Sequence, residues 1–106
     1  MFFEFRRYQI KDGKRDQWVR FMEDEIIPFQ VSKGMVVCGS FIDQEDPDIY
    51  FWIRRFEDEA DKERLYKAVY ESDQWKNDIS PRVGEILNRE TIQVTRIEAT
   101  PKSVIR

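Results

Sequence analysis

Two arginines, one glutamate and a set of aromatic hydroxyls are the groups in this 106-residue sequence with chemistry to offer. Arg6 and Arg54 each sit inside an alternating aromatic run, Phe2-Phe3-Glu4-Phe5-Arg6-Arg7-Tyr8 and Ile49-Tyr50-Phe51-Trp52-Ile53-Arg54-Arg55-Phe56. On neighbouring strands, two guanidiniums form a fork for a carboxylate or another anion, because each presents N–H groups that match a pair of oxygens. The competing use is a structural ion pair with Glu4. Trp52, Tyr50 and Tyr8 supply the apolar wall and hydroxyl contacts of a small-molecule pocket, or else ordinary dimer packing. Glu4 and Tyr8 are the groups on that face that could serve as a base near an acidic substrate carbon.

Other chemistry is excluded by composition. The chain has no histidine, so Ser-His-Asp and Cys-His arrangements, histidine-ligated haem and His-based metal sites are ruled out. The acidic run Gln44 to Asp48 lacks the oxygen spacing and glycine of a calcium loop and reads as a solvated hairpin tip, so no metal or cofactor is expected. The single Cys38 cannot form an intrachain disulfide, and without a histidine to stabilise its thiolate it reads as core. A net charge of −3 with scattered basic residues argues against nucleic acid as a partner. No apolar run reaches membrane-spanning length and the first residues lack a secretory pattern, so no membrane association and a cytoplasmic location are expected.

The elements that must position these groups follow from periodicity. The length and even composition fit one domain over residues 1–106. Phe2 to Ile10 reads as a strand that ends at Lys11-Asp12-Gly13-Lys14. Trp18, Phe21, Met22, Ile26 and Phe29 recur at spacings of three and four, which predicts a helix from Lys14 that kinks or ends near Ile27, since Pro28 lacks an N–H. Met35 to Asp43 and Ile49 to Phe56 read as a hairpin, with Gly39 marking a bulge or a close backbone approach. Asp58 caps a second helix carrying Leu65, Tyr66, Ala68, Val69, Tyr70 and later Trp75, interrupted near Ser72-Asp73 before a shorter piece after Pro81. Thr91 to Glu98 is the last strand. The order βαββαβ predicts an α+β, ferredoxin-like fold: a four-stranded antiparallel sheet, first and third strands central, helices on one face.

Strand alternation then predicts that Phe3, Phe5, Phe51 and Ile53 face the helices. Glu4, Arg6, Tyr8, Tyr50, Trp52 and Arg54 go to the opposite face. An aromatic face of that size calls for a cover, and a homodimer built by facing sheets supplies one, with a wet or ligand-holding cavity relieving the cost of burying the charges.

The pieces Phe3-Glu4-Phe5-Arg6-Arg7-Tyr8 with Lys11-Asp12-Gly13-Lys14, Ile27-Pro28, Tyr50-Phe51-Trp52-Ile53-Arg54-Arg55-Phe56 and Tyr70-Glu71-Ser72-Asp73-Gln74-Trp75 occur in an order that resembles the NIPSNAP family. The resemblance implies a dimeric α/β barrel, as in related small monooxygenases and isomerases, and no defined reaction. Gln30 and Ser40 stand where relatives often carry a histidine or a larger aromatic nearby, so no acid–base role is borrowed from them. Three readings follow. The first is a dimeric module binding a small aromatic or acidic molecule through Arg6, Tyr8, Tyr50, Trp52 and Arg54. The second is a cofactor-independent monooxygenase or isomerase using Glu4 or Tyr8. The third is a structural dimer without a ligand.

Overall fold

The computed structural model describes all 106 residues. Its elements are β1 (Phe2–Gln9), α1 (Arg15–Phe21), α2 (Ile27–Ser32), β2 (Val36–Ile42), β3 (Ile49–Phe56), α3 (Glu59–Tyr70), α4 (Ser80–Ile86) and β4 (Gln93–Ile97). The strands form one sheet in the order β2-β3-β1-β4, with every neighbouring pair antiparallel. This is the expected ferredoxin-like arrangement, with β1 and β3 in the centre.

Both helical segments carry the same irregularity, and proline explains it. A π turn at Met22–Ile26 joins α1 to α2, and another at Trp75–Ile79 leads into α4. The N–H of Ile27 donates to the Met22 carbonyl, and that of Ser80 to the Trp75 carbonyl; each donor immediately precedes a proline, Pro28 or Pro81. A proline ring clashes with the carbonyl four residues before it, and one wider turn moves that carbonyl aside. The first helix therefore runs on through Pro28 to Ser32 instead of stopping near Ile27. For the same reason the later piece is helical from residue 73, ahead of Pro81 rather than after it. Asp58 caps α3 as expected, its carboxylate accepting from the Asp61 N–H at 2.7 Å.

Gly39 marks both features that a strand glycine allows. The β2–β3 register slips between Val37 and Gly39, leaving Cys38 as the extra residue of a bulge. The Phe41 ring also folds back over Gly39, so that a Cβ there would lie 2.4 Å from the ring edge.

The two sheet faces are the reverse of the sequence expectation. The rings of Tyr8 and Tyr50 pack on Trp18 of α1 at centroid distances of 5.9 and 6.1 Å. Arg54 bonds to Tyr66 and Tyr70 of α3. Glu4, Arg6, Tyr8, Tyr50, Trp52 and Arg54 thus lie beneath the helices, while Phe5 and Phe51 form a pair on the far side, 5.6 Å apart and half-buried. Polarity settles the phase. Buried charges require hydrogen-bonding partners, and α2 and α3 bring an amide and two hydroxyls, from Gln30, Tyr66 and Tyr70. Phe3 and Phe5 need no partner of that kind. On the far face Phe3 and Ile53 share a shallow depression with Ile97, Ala99 and Ile105 near the C-terminus. Phe41 stays 48 % exposed.

Candidate functional site

Beneath the helices, one carboxylate organises the charged groups. Glu4 of β1 stands opposite Arg54 of β3 in the register, which brings its Oε1 within 2.8 Å of Arg54 Nη2 and 3.3 Å of Arg6 Nη1. Its other oxygen accepts from the Tyr66 hydroxyl at 2.6 Å and lies 3.6 Å from Lys62 Nζ. Arg54 is fully buried. Its Nη1 donates to the Gln30 carbonyl oxygen at 2.9 Å and the Tyr70 hydroxyl at 2.6 Å, and its guanidinium lies over the Trp52 ring at 4.7 Å. Arg6 Nε donates to the Tyr8 hydroxyl at 2.9 Å. Three cations, Arg6, Arg54 and Lys62, therefore share one anion.

Next to this network is a cavity of about 120 Å³ between sheet and helices. Tyr8 and Trp52 form its floor, Trp18, Met22, Ile26 and Gln30 its first wall, Val83 and Leu87 another, and Arg6, Tyr66, Tyr70, Trp75, Arg89 and Ile92 its more exposed rim. The π turns contribute directly here, since Met22, Ile26 and Trp75 all belong to them. All three tryptophans of the chain line this one space.

Buried donors close to the cavity lack acceptors. The indole N–H groups of Trp18 and Trp52 and the Nε–H of Arg54 are buried without an acceptor. Tyr8 and Tyr70 accept from guanidinium groups, which leaves their own hydroxyl hydrogens without a protein acceptor. An unpaired buried donor costs about 1–3 kcal/mol.

The same contacts bear on acid–base chemistry. Burial pushes the Glu4 carboxyl up, but Arg54, the Tyr66 hydroxyl and Arg6 together outweigh it and hold the group below its usual range. A carboxylate fixed as an ion-pair partner is a poor base. Burial pushes the Tyr8 phenol up against the opposing charge of Arg6, so Tyr8 is a hydrogen-bond donor at neutral pH. Burial likewise raises the Tyr50 phenol, which is bonded to Ser40 at 2.6 Å.

Of the residues expected from sequence to bind a ligand, Arg6, Tyr8 and Trp52 line the cavity. Arg54 and Tyr50 stand behind them, Arg54 holding Gln30 and Tyr70, and Tyr50 packing on Tyr8. Sequence reasoning assigned Trp18, Tyr66, Tyr70 and Trp75 to plain core and did not place Gln30 or Arg89 in a site. One signal was present for the tyrosines: hydroxyls at positions 66 and 70, four apart on a core-facing helical stripe, must find polar partners inside. Cys38 sits half-buried at the bulge of the edge strand β2, away from the cavity and outside the core expected for it, and burial raises its thiol.

Comparison with known proteins places the fold. The family model for NIPSNAP matches residues 3–100. An uncharacterized NIPSNAP domain protein from Burkholderia xenovorans superposes with a TM-score of 0.84 at 15% identity, covering 97% of this chain and 98% of its own. A NIPSNAP family protein with unknown function from Agrobacterium tumefaciens gives 0.86 at 22% identity, covering 100% and 94%. A structure described as an antibiotic biosynthesis monooxygenase gives 0.67 at 18% identity over 95% of this chain and 100% of its own, a likeness of fold. No curated protein matches the sequence.

Proposed function

The chain belongs to the NIPSNAP family, and from the chemistry of its cavity we propose that it binds a small aromatic acid there, as the subunit of a cytoplasmic homodimer. The observation that carries this reading is the surplus of buried donors. Arg6 lines the cavity and shares the Glu4 carboxylate with Arg54 and Lys62, while the Tyr8 and Tyr70 hydroxyl hydrogens beside it have no protein acceptor. A cavity of about 120 Å³ is below the roughly 300–1,000 Å³ of pockets for drug-sized ligands, which favours an occupant of about one ring. Aromatic walls from Trp52 and Trp75 suit a flat ring, and Arg6 with Tyr8 suits its acidic group.

Self-pairing is supported by the far face of the sheet. Phe5 and Phe51 are half-buried, Phe41 is 48 % exposed and Ile97 39 %, with no covering element over their centre. A second copy presenting the same surface buries this patch symmetrically. The ligand cavity and the pairing surface are then on opposite sides of one sheet. An oxygenase or isomerase reading finds less support, because Glu4 is held by Arg54 and Tyr8 is held protonated.

Titration with benzoate, followed by tryptophan fluorescence, tests the binding reading, since every tryptophan lines the cavity. Saturable quenching that is lost in Arg6→Gln is the expected result. Absence of any saturable change at millimolar benzoate sinks the proposal and leaves a structural dimer.

A further inference from the structure

Resting on the reading above, we propose that Arg89 is the selectivity residue of the cavity mouth, so that the preferred ligand is a flat aromatic dianion. One acidic group lies inside at Arg6 and Tyr8, and the other meets Arg89 where the ligand emerges.

The sequence sets a glycine inside a helix to seat this arginine. Gly84 lies within α4, where glycine is disfavoured because it gives up more backbone freedom than alanine. Its backbone is ordinary, since positive φ angles occur at Gly13 and Gly34 alone, so conformation does not explain the choice. Space does. A Cβ at position 84 would come 3.1 Å from Arg89 Nη1 and 3.9 Å from its Cζ. The Arg89 side chain lies flat against the helix at this point and reaches Ser80, where Nη2 donates to the backbone carbonyl at 2.7 Å and the hydroxyl at 2.8 Å.

What it reaches is neutral. Arg82 on the same helix is bound by Glu25 and Asp78, and Arg96 by Glu59, whereas Arg89 has no carboxylate partner. Its Nη1 and Nε make no hydrogen bond to the protein. An exposed guanidinium at the rim of the donor-rich cavity, anchored by one nitrogen and free at the others, is set to receive oxygens from a ligand. Arg6, already shared with Glu4 and Tyr8, serves the inner acidic group, so a second acidic group on the ligand finds its own cation only at the mouth.

Calorimetric titration with benzoate, terephthalate and neutral benzamide, on the wild-type protein, Arg89→Gln and Gly84→Ala, separates the possibilities. The expected result is terephthalate binding at least tenfold tighter than benzoate, with benzamide weakest. That preference falls to within about twofold in Arg89→Gln, and shrinks in Gly84→Ala, where the new methyl displaces the guanidinium while the fold is retained. Equal binding of the two acids by the wild type, or an undiminished preference in Arg89→Gln, overturns the role of Arg89 and leaves the binding site standing. Failure of every probe on the wild type overturns the site and this inference with it.

Discussion

The two faces of the sheet use similar aromatic material for opposite ends. The face beneath the helices carries Tyr8, Tyr50 and Trp52, and with them Glu4, Arg6 and Arg54; of these six only Arg6 retains appreciable exposure. The far face carries Phe3, Phe5, Phe41, Phe51 and Ile53 and has no buried charge; Phe3 and Ile53 are buried, Phe5 and Phe51 half-buried and Phe41 exposed. Which face the helices cover follows the supply of hydrogen-bonding partners rather than apolar content. The helices bring Gln30, Tyr66 and Tyr70 to one face, and nothing in the chain answers the bare phenylalanines of the other except its C-terminal segment. A polar network under cover suits recognition, and an apolar surface without cover suits association.

Removing the organising charge is the most severe way to break that contrast. Glu4→Gln leaves Arg54 fully buried and Arg6 largely so, both short of an anion, and removal of one partner from a buried pair costs about 3–5 kcal/mol. Chemical denaturation of wild type and variant should show a loss of that size near neutral pH. The sign of its pH dependence follows from the lowered Glu4 pKa. A depressed carboxyl contributes stability that is fully present above its ordinary value of 4.5 and is lost as pH falls through the lower folded value. The gap between the two proteins should be flat above about pH 5 and close below pH 4.5. A gap that stays open in acid would show that Glu4 acts by packing and not by charge.

On the opposite face, where self-pairing is proposed, Phe51→Asp should separate the proposed subunits without disturbing the cavity. A carboxylate at the centre of an apolar interface has no partner, and a cost of about 3 kcal/mol raises the dimer dissociation constant about a hundredfold. Sedimentation should show a monomer that still binds benzoate as the wild type does. A variant that remains dimeric would move the pairing surface elsewhere and remove the far face from the comparison.

Much of this architecture was legible in the residues. Ile49–Phe56 reads as a strand at its observed bounds because aromatic and β-branched residues fill six of its eight positions between a turn and the Asp58 cap. The position of Gly39 foretold the bulge beside it. The facing of the central strands was not legible, because both alternating sets of β1 and β3 are aromatic and alternation alone does not say which set meets the helices. The deciding partners, Gln30 and the hydroxyls of Tyr66 and Tyr70, lie 12 to 62 positions from the strand residues they bond and on helices whose stripes read simply as apolar. The π turns were hidden for a related reason. Pro28 and Pro81 read as breaks, whereas the chain widens one turn before each and continues, which carries Met22, Ile26 and Trp75 into the cavity wall.

The mildest test asks whether the two faces are independent. Gly39→Ala places a methyl 2.4 Å from Phe41 Cε2 and 2.7 Å from Cζ, closer than non-bonded carbon atoms can remain. What must move is the far end of a side chain that is already 48 % exposed, so the ring can swing outward at little cost. Stability should fall by about 1 kcal/mol or less, the lower end of what overpacking costs. The displaced ring belongs to the far face, where Phe41 pairs in register with Phe51, so dimer affinity should weaken by a few-fold. Benzoate affinity should not change, because neither Gly39 nor Phe41 touches the cavity. If calorimetry finds the benzoate affinity altered along with dimerisation, strain passes through the sheet from one face to the other. Pairing and recognition would then be a single coupled function, and the division between an associating face and a recognising face would fall.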